Sequence, residues 1–152
     1  MTLTLGIAQH VTFLGMRDDV PALLSRASIV VHASVLGEPF GQVVIEGMAA
    51  GKPVIASNGG AIPEIVIPGV TGLLHEMGDH VGLAEAIVSL LADPVRADAM
   101  GEAGRERVRE FFTIDQAART IEGVYEEMLS QGSGGVRSLK SATQNLQRQE
   151  GS

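Results

Sequence analysis

Gly37-Glu-Pro-Phe-Gly-Gln-Val-Val-Ile-Glu-Gly-Met-Ala-Ala-Gly51 stands between two apolar, β-like runs, Ile29 to Ala33 and Val54 to Ala56. A Gly-Pro loop here hands a strand over to a helix, predicted over residues 41–50. Glu38 sits on the loop and Glu46 on the helix. Strand, glycine-rich turn, helix N-terminus and polar groups facing a crevice make the layout of a ligand-binding turn in an open α/β sheet. Gly51, with Pro53 two residues on, stops the helix.

Working outward, Pro53 to Ser57 reads as a strand, Ser57-Asn-Gly-Gly60 as a turn, and Ile62 to Ile67 as a short helix with Pro63 and Glu64 in its first turn. Pro68-Gly69 breaks that helix, and Thr71 to His75 forms another strand. Upstream, Ile29 to Ala33 is nearly all apolar, as in a strand covered on both faces. Val11 to Gly15 is β-branched and aromatic and reads as a further strand. Between these two, Asp18 or Asp19 caps a brief helix from Val20 to Ser25, and Leu3 to Gln9 reads as a helix end interrupted by Gly6. Short strands alternating with helices up to about residue 75 predict a Rossmann-like α/β fold with a parallel sheet and flanking helices.

After residue 75 the pattern is helical. Val81, Ala84, Ile87, Val88 and Leu91 recur at helical spacing over 79–92. Asp93-Pro94 opens a helix to about Phe111, and Thr113 with Gln116 has capping-box spacing for a last helix. That helix has an apolar face from Ile114 to Leu129. The folded part is expected over 1–130, followed by a flexible polar tail, 131–152, introduced by Gln-Gly-Ser-Gly-Gly.

At 152 residues with net charge −7, the charge divides as −9 over residues 1–130 and +2 over 131–152. An acidic body excludes a nucleic-acid backbone as the expected partner. There is no Cys, so disulfides, thiolate metal sites and a cysteine nucleophile are excluded. No signal-peptide pattern is visible, and no apolar run approaches the roughly 20 residues of a membrane helix. A cytoplasmic protein is expected, with the cytosolic face of a membrane left open.

The loop chemistry follows from its residue types. Gly41 admits another group close to the backbone. The N–H groups of Gly41, Gln42 and Val43 point out of the helix start and suit an anion such as phosphate. Gln42 and Glu46 share one stripe, on a helix whose Val43, Val44, Ile45, Met48 and Ala49 are expected to be buried. One carboxylate suits sugar or ribose hydroxyls while the other supports charge at a reacting carbon. An exposed loop acid at 38 and a dipole-complementing acid at 46 fit the spacing equally well.

Other polar groups have plainer readings. His75-Glu76-Met-Gly-Asp79-His80 lacks the second histidine of a zinc-protease helix, and no metal site is expected. His32 ends a strand just before the carboxylate loop and fits pocket lining, although a hydrogen-bonded core histidine is the favoured reading. Ser34, Ser57 and Asn58 fit either pocket lining or turn duty. Gly59 and Gly60 admit either a close-approaching donor or a tight turn. The alternation of Arg105, Arg107 and Arg109 with Glu102, Glu106 and Glu110 reads as a solvated helix face.

Glu38-Pro-Phe-Gly41 and Glu46-Gly-Met-Ala-Ala-Gly51, followed by Pro53-Val-Ile-Ala-Ser, resemble the signature of retaining GT-B glycosyltransferases of family 4, glycosyl transferases group 1. That family's two glutamates are separated by seven residues, as Glu38 and Glu46 are. Gly59-Gly-Ala-Ile-Pro-Glu64, Gly69-Val-Thr-Gly-Leu-Leu74, Asp93-Pro94 and Met100-Gly-Glu-Ala-Gly-Arg-Glu-Arg107 extend the resemblance, which covers about Leu5 to Leu129. It implies that Glu38 lies by the donor sugar as the catalytic carboxylate and that Glu46 binds the nucleotide ribose. Amides of the Phe40-Gly41 turn, through Gln42 and Val43, would meet sugar and phosphates, and Met16 and Arg17 would cradle the base. It implies a nucleotide-sugar donor of unknown base, retention at the anomeric carbon, no essential metal and no cofactor.

The resemblance also implies an incomplete GT-B C-terminal domain. The four predicted strands correspond to strands 3, 4, 5 and 6 of the order 3-2-1-4-5-6, so the first two strands are missing, as is the acceptor domain. An uncovered sheet edge invites pairing. Either Val11 to Gly15 finds a new place or another copy of the chain fills the gap. The expectation is a homo-oligomer, with exchange of elements as one route, that is inactive as a transferase by itself. The alternatives are a nucleotide-sugar-binding module and a purely structural fragment.

Overall fold

A parallel sheet of β1 (Val30–His32), β2 (Val54–Ser57) and β3 (Gly72–His75), in that spatial order, carries the fold. The computed structural model describes residues 2–130, so the tail expected over 131–152 lies outside them. Val30 pairs with Val54 and His32 with Ala56; Val54 pairs with Gly72 and Ser57 with His75. All four residues of β2 are buried, as a central parallel strand with both faces covered requires.

The covering elements are α1 (Val20–Arg26), α2 (Gln42–Ala49), α3 (Ile62–Ile65), α4 (His80–Ala92) and α5 (Pro94–Phe111). On one face Ile55 packs with Leu90, Ala97 and Met100, flanked by Leu73, Leu83 and Ile87. On the other, Gly47 brings the backbone of α2 against Val30 and Val54, and Val44 and Met48 are buried. Both faces of the core are aliphatic, as a chain with 3% aromatic residues must build them.

Caps fall where the sequence places them for the later helices. The Asp79 carboxylate accepts from the N–H groups of Val81 (3.1 Å) and Gly82 (2.9 Å) and starts α4. Asp93 accepts from Arg96 N–H (3.0 Å) at the start of α5. The chain divides into two compact units, one ending at Arg107 and the next beginning at Val108, within α5. In the second unit residues 114–130 are helical, and the Thr113 hydroxyl accepts from Gln116 N–H (3.2 Å). Ile114, Ile121, Val124, Tyr125, Met128 and Leu129 on that helix are all exposed.

Several expectations are corrected. Val11 to Gly15 is not a strand: its backbone joins no ladder, and Phe13 is 83% exposed. Its β propensity is realised only with a neighbouring strand, and none lies beside it among the described residues. Three strands form, not four. Leu3 to Gln9 is a series of turns leading to a single 3-10 turn, Ala8–His10, rather than a helix end. Asp19 stands before α1 without capping it, because Arg17 takes its carboxylate with two hydrogen bonds of 2.6 Å. β1 lies at the edge of the sheet, so Val31 is exposed rather than covered. Val43 and Ala49 face outward from α2, the rotation that packs Val44 and Met48 leaving them on the opposite side.

The arginines of α5 are not a merely solvated face. Arg107 donates to the carbonyls of Ile65 (2.7 Å) and Glu64 (2.8 Å), closing the end of α3. Arg105 donates to Ala50 O (3.4 Å) beyond α2 and pairs with Glu102 (3.0 Å). Both satisfy carbonyls that a helix C-terminus leaves unpaired.

Candidate functional site

The carboxyl ends of the three strands converge on His32, Ser57 and His75, the end of an α/β sheet where ligand crevices form. Ser57 is buried. Its hydroxyl lies 3.2 Å from the His32 carbonyl and 3.4 Å from His75 Nε2. His75 Nδ1 lies 2.9 Å from the Glu76 carbonyl, so the ring proton sits on Nδ1, and the single Ser57 hydroxyl proton goes to the His32 carbonyl, the shorter of its two contacts. Ser34 closes a local turn onto Leu36, and the Asn58 side chain donates to Glu76 (3.1 Å). These groups therefore do structural work at the ends of the strands.

The loop from β1 to α2 crosses this end of the sheet. Glu38 forms an isolated bridge with Gly60, and its carbonyl accepts from Ala61 N–H (2.8 Å). Gly60 has φ +61°, and a Cβ there would strike the Glu38 backbone. The close approach that Gly60 permits is thus the loop's own. Gly59 lies below Met77, whose Sδ would be 2.7 Å from an added Cβ. Gly41 begins α2 in the left-handed region (φ 65°), and a Cβ there would collide with Ile65 of α3.

Glu38 turns its carboxylate back onto its own turn. Oε1 accepts from the N–H groups of Phe40 and Gly41, each at 3.3 Å, and Oε2 lies 3.6 Å from His32 Nε2. These two backbone hydrogen bonds, opposed in part by burial and supported by the nearby His32 ring, hold the carboxyl below the usual glutamate range. The anion-binding expectation is corrected at one donor: the Gly41 N–H already holds an anion, which is Glu38. The N–H groups of Gln42 and Val43 have no acceptor among the described residues. They stand at the positive end of α2.

Glu46 serves a second opening. Gln42 Nε2 donates to its carboxylate (3.1 Å), the one-turn pairing the stripe predicts. Glu46 lines an open groove of about 400 Å³ with Val20, Pro21 and Leu24 of α1 and with Ala49. It is the only acid on that lining among the described residues. Phe40 is exposed beside the turn. Arg17 pairs with Asp19 and, like the fully exposed Met16, makes no described hydrogen bond to Glu38, Glu46 or the turn amides.

Sequence reasoning admits His32 as pocket lining but favours a hydrogen-bonded core role. Its Nδ1 is buried without a partner among the described residues, and its Nε2 faces Glu38. The available signal was a single polar residue closing an apolar strand, six positions before Glu38.

The family model for glycosyl transferases group 1 matches residues 1–107. The N-acetyl-alpha-D-glucosaminyl L-malate synthase of Bacillus anthracis is 38% identical over 125 residues, which are 82% of this chain and 32% of that protein. The sucrose-phosphate synthase of Thermosynechococcus elongatus superposes with a TM-score of 0.78 at 39% identity, over 85% of this chain and 33% of its own. Anabaena HepE, solved in complex with UDP, gives 0.77 at 31% identity over 82% of this chain and 35% of its own; it is also solved with UDP-glucose. The chain spans about a third of the length of the relatives it matches. These neighbours are GT-B glycosyltransferases.

Proposed function

The chain belongs to the glycosyl transferases group 1 family, and from that premise we propose that it is the donor-binding part of a retaining, family-4-type glycosyltransferase. The observation that carries this reading is the position of Glu46, tethered by Gln42 and alone in its charge on an apolar groove beside two free N–H groups. A nucleoside suits that arrangement. Its base and ribose bury apolar surface against Val20 and Leu24, its hydroxyls donate to Glu46, and its diphosphate meets the N–H groups of Gln42 and Val43. In this reading Arg17 and Met16, a few residues before α1, receive the base. Glu38, the proposed catalytic carboxylate, lies on the sugar side with Phe40 and Gly41. There its negative charge stabilises the positive charge that develops at the anomeric carbon as the bond to the diphosphate breaks. Gly59 and Gly60 serve the donor indirectly, by holding the loop that carries Glu38.

What these residues supply in this reading is the donor site. In the cell the chain works in the cytosol or at the cytosolic face of a membrane. The free edge of β1 and the exposed run Val11 to Met16 favour self-association of the chain, with strand elements exchanged between copies.

Titration calorimetry with UDP, GDP and ADP tests the donor site. One nucleotide is expected to bind, and Glu46→Ala weakens it about tenfold, equivalent to about 1.4 kcal/mol. Unchanged affinity in the variant removes the ribose role from Glu46. No heat with any of the three at millimolar concentration reduces the chain to a structural element.

A further inference from the structure

We infer that His32 is a positioning residue for Glu38, fixing the carboxylate that the donor reading above places beside the sugar. The inference rests on that reading for its functional meaning, and on geometry for the contact itself. Glu38 has two carboxylate oxygens with separate partners. Oε1 is held by the turn amides of Phe40 and Gly41, and Oε2 by the imidazole, at 3.6 Å from Nε2. The two amides alone leave the carboxylate free to rotate about the bonds of its side chain. A third contact from β1, a different element, fixes the plane of the group.

The ring is suited to this in two ways. It projects from the last residue of β1 and is 13% exposed, so the sheet limits its motion. Its Nδ1 is buried and has no partner among the described residues. A buried N–H without an acceptor is costly, so the neutral ring keeps its proton on Nε2, the atom facing Glu38. That choice turns the His32 N–H toward Oε2, at a separation of 3.6 Å that makes the contact electrostatic rather than a formed hydrogen bond. Among the described residues no other charged group lies within ion-pair reach of Glu38. The backbone of His32 is anchored too, since its carbonyl accepts from Ser57 on the neighbouring strand (3.2 Å). A chain of contacts thus runs from central β2 through β1 to the carboxylate.

A core role predicts that an apolar residue of similar volume replaces His32 without consequence; a positioning role predicts that only a donor does. The variants are therefore His32→Leu and His32→Gln, the second keeping an N–H donor. Thermal melting first establishes that each is folded. Carbon-13 NMR then follows the Glu38 carboxyl through an acid titration, and calorimetry compares UDP-glucose with UDP. In His32→Leu the carboxyl is expected to titrate at higher pH than in the wild type, and the affinity for UDP-glucose to fall about fivefold relative to UDP. His32→Gln restores most of both. A folded His32→Leu protein in which Glu38 titrates as in the wild type overturns the inference. Should His32→Leu not fold, Glu38→Gln is read from the other side: the His32 ring nitrogen resonances must move, and unchanged resonances overturn the inference. If UDP and UDP-glucose both fail to bind, the donor reading falls while the titration still decides the role of His32.

Discussion

The two flanks of the sheet use similar residues to opposite effect. On the flank held by α4 and α5, backbones touch: a Cβ on Gly101 would strike the Gly51 carbonyl, and Arg105 and Arg107 reach the carbonyls that end α2 and α3. On the flank where β1 is the edge strand, Val31 stands exposed and β1 has no outer neighbour among the described residues, and Phe13, Leu14 and Met16 of the segment 11–16 are exposed as well. Apolar character alone therefore does not make core. A residue is buried only where another element arrives to cover it, and the described residues supply that element on one flank.

The largest effect expected from this contrast is at Gly101. In Gly101→Ala the new methyl meets backbone, which cannot rotate away as a side chain would, so α5 must shift from the Gly51 turn. A loss of about 3 kcal/mol is expected in denaturant unfolding of the chain. Phe13→Ser, in the exposed segment, is expected to change stability by less than about 0.5 kcal/mol despite removing an aromatic ring. Equal losses at the two positions would break the contrast.

Of intermediate size is the effect on self-association. If the bare edge of β1 is where copies meet, a charge introduced there opposes pairing. Val31→Lys is expected to raise the dissociation constant of the self-associated species about tenfold by light scattering, with melting little changed. A clean monomer at every concentration in the wild type would instead mean that the edge needs no cover.

The same contrast explains what the sequence made legible. The three strands, α2, α4 and α5 are readable because each is an apolar run closed by Gly or Pro, or capped by an acid such as Asp79 or Asp93. These are local signals. Val11 to Gly15 carries an equally good strand signal and forms no strand, because a ladder needs a second chain segment that local sequence does not reveal. The stripe of Gln42 and Glu46 is legible for the same reason that α2 is, since its partners are four residues apart on one helix. The targets of Arg105 and Arg107 lie 55 and 42 residues away in sequence. The partner of His32 is brought to it by a loop whose path is set by the contact between Glu38 and Gly60. Family resemblance supplied the two glutamates with roles, but it did not say that one of them already occupies the turn's amides.

That occupied turn gives the smallest expected effect. Glu38 belongs to the sparsely covered flank, yet its carboxylate has three contacts, two from backbone N–H groups and one from His32. Because these hold the folded carboxyl below its ordinary value, the folded state binds that proton less readily than the unfolded chain. The stabilisation is thus fully present above the unfolded pKa of about 4.3. It is lost as pH falls through the lower folded value. Glu38→Gln, which has no carboxylate to titrate, is expected to melt below the wild type near neutral pH. The gap between the two curves then closes as the pH is taken below about 4. Thermal melts across that range decide the point. A gap that stays constant into acid would mean that Glu38 supports the turn by shape rather than charge, leaving the Phe40 and Gly41 amides as free for a donor as those of Gln42 and Val43.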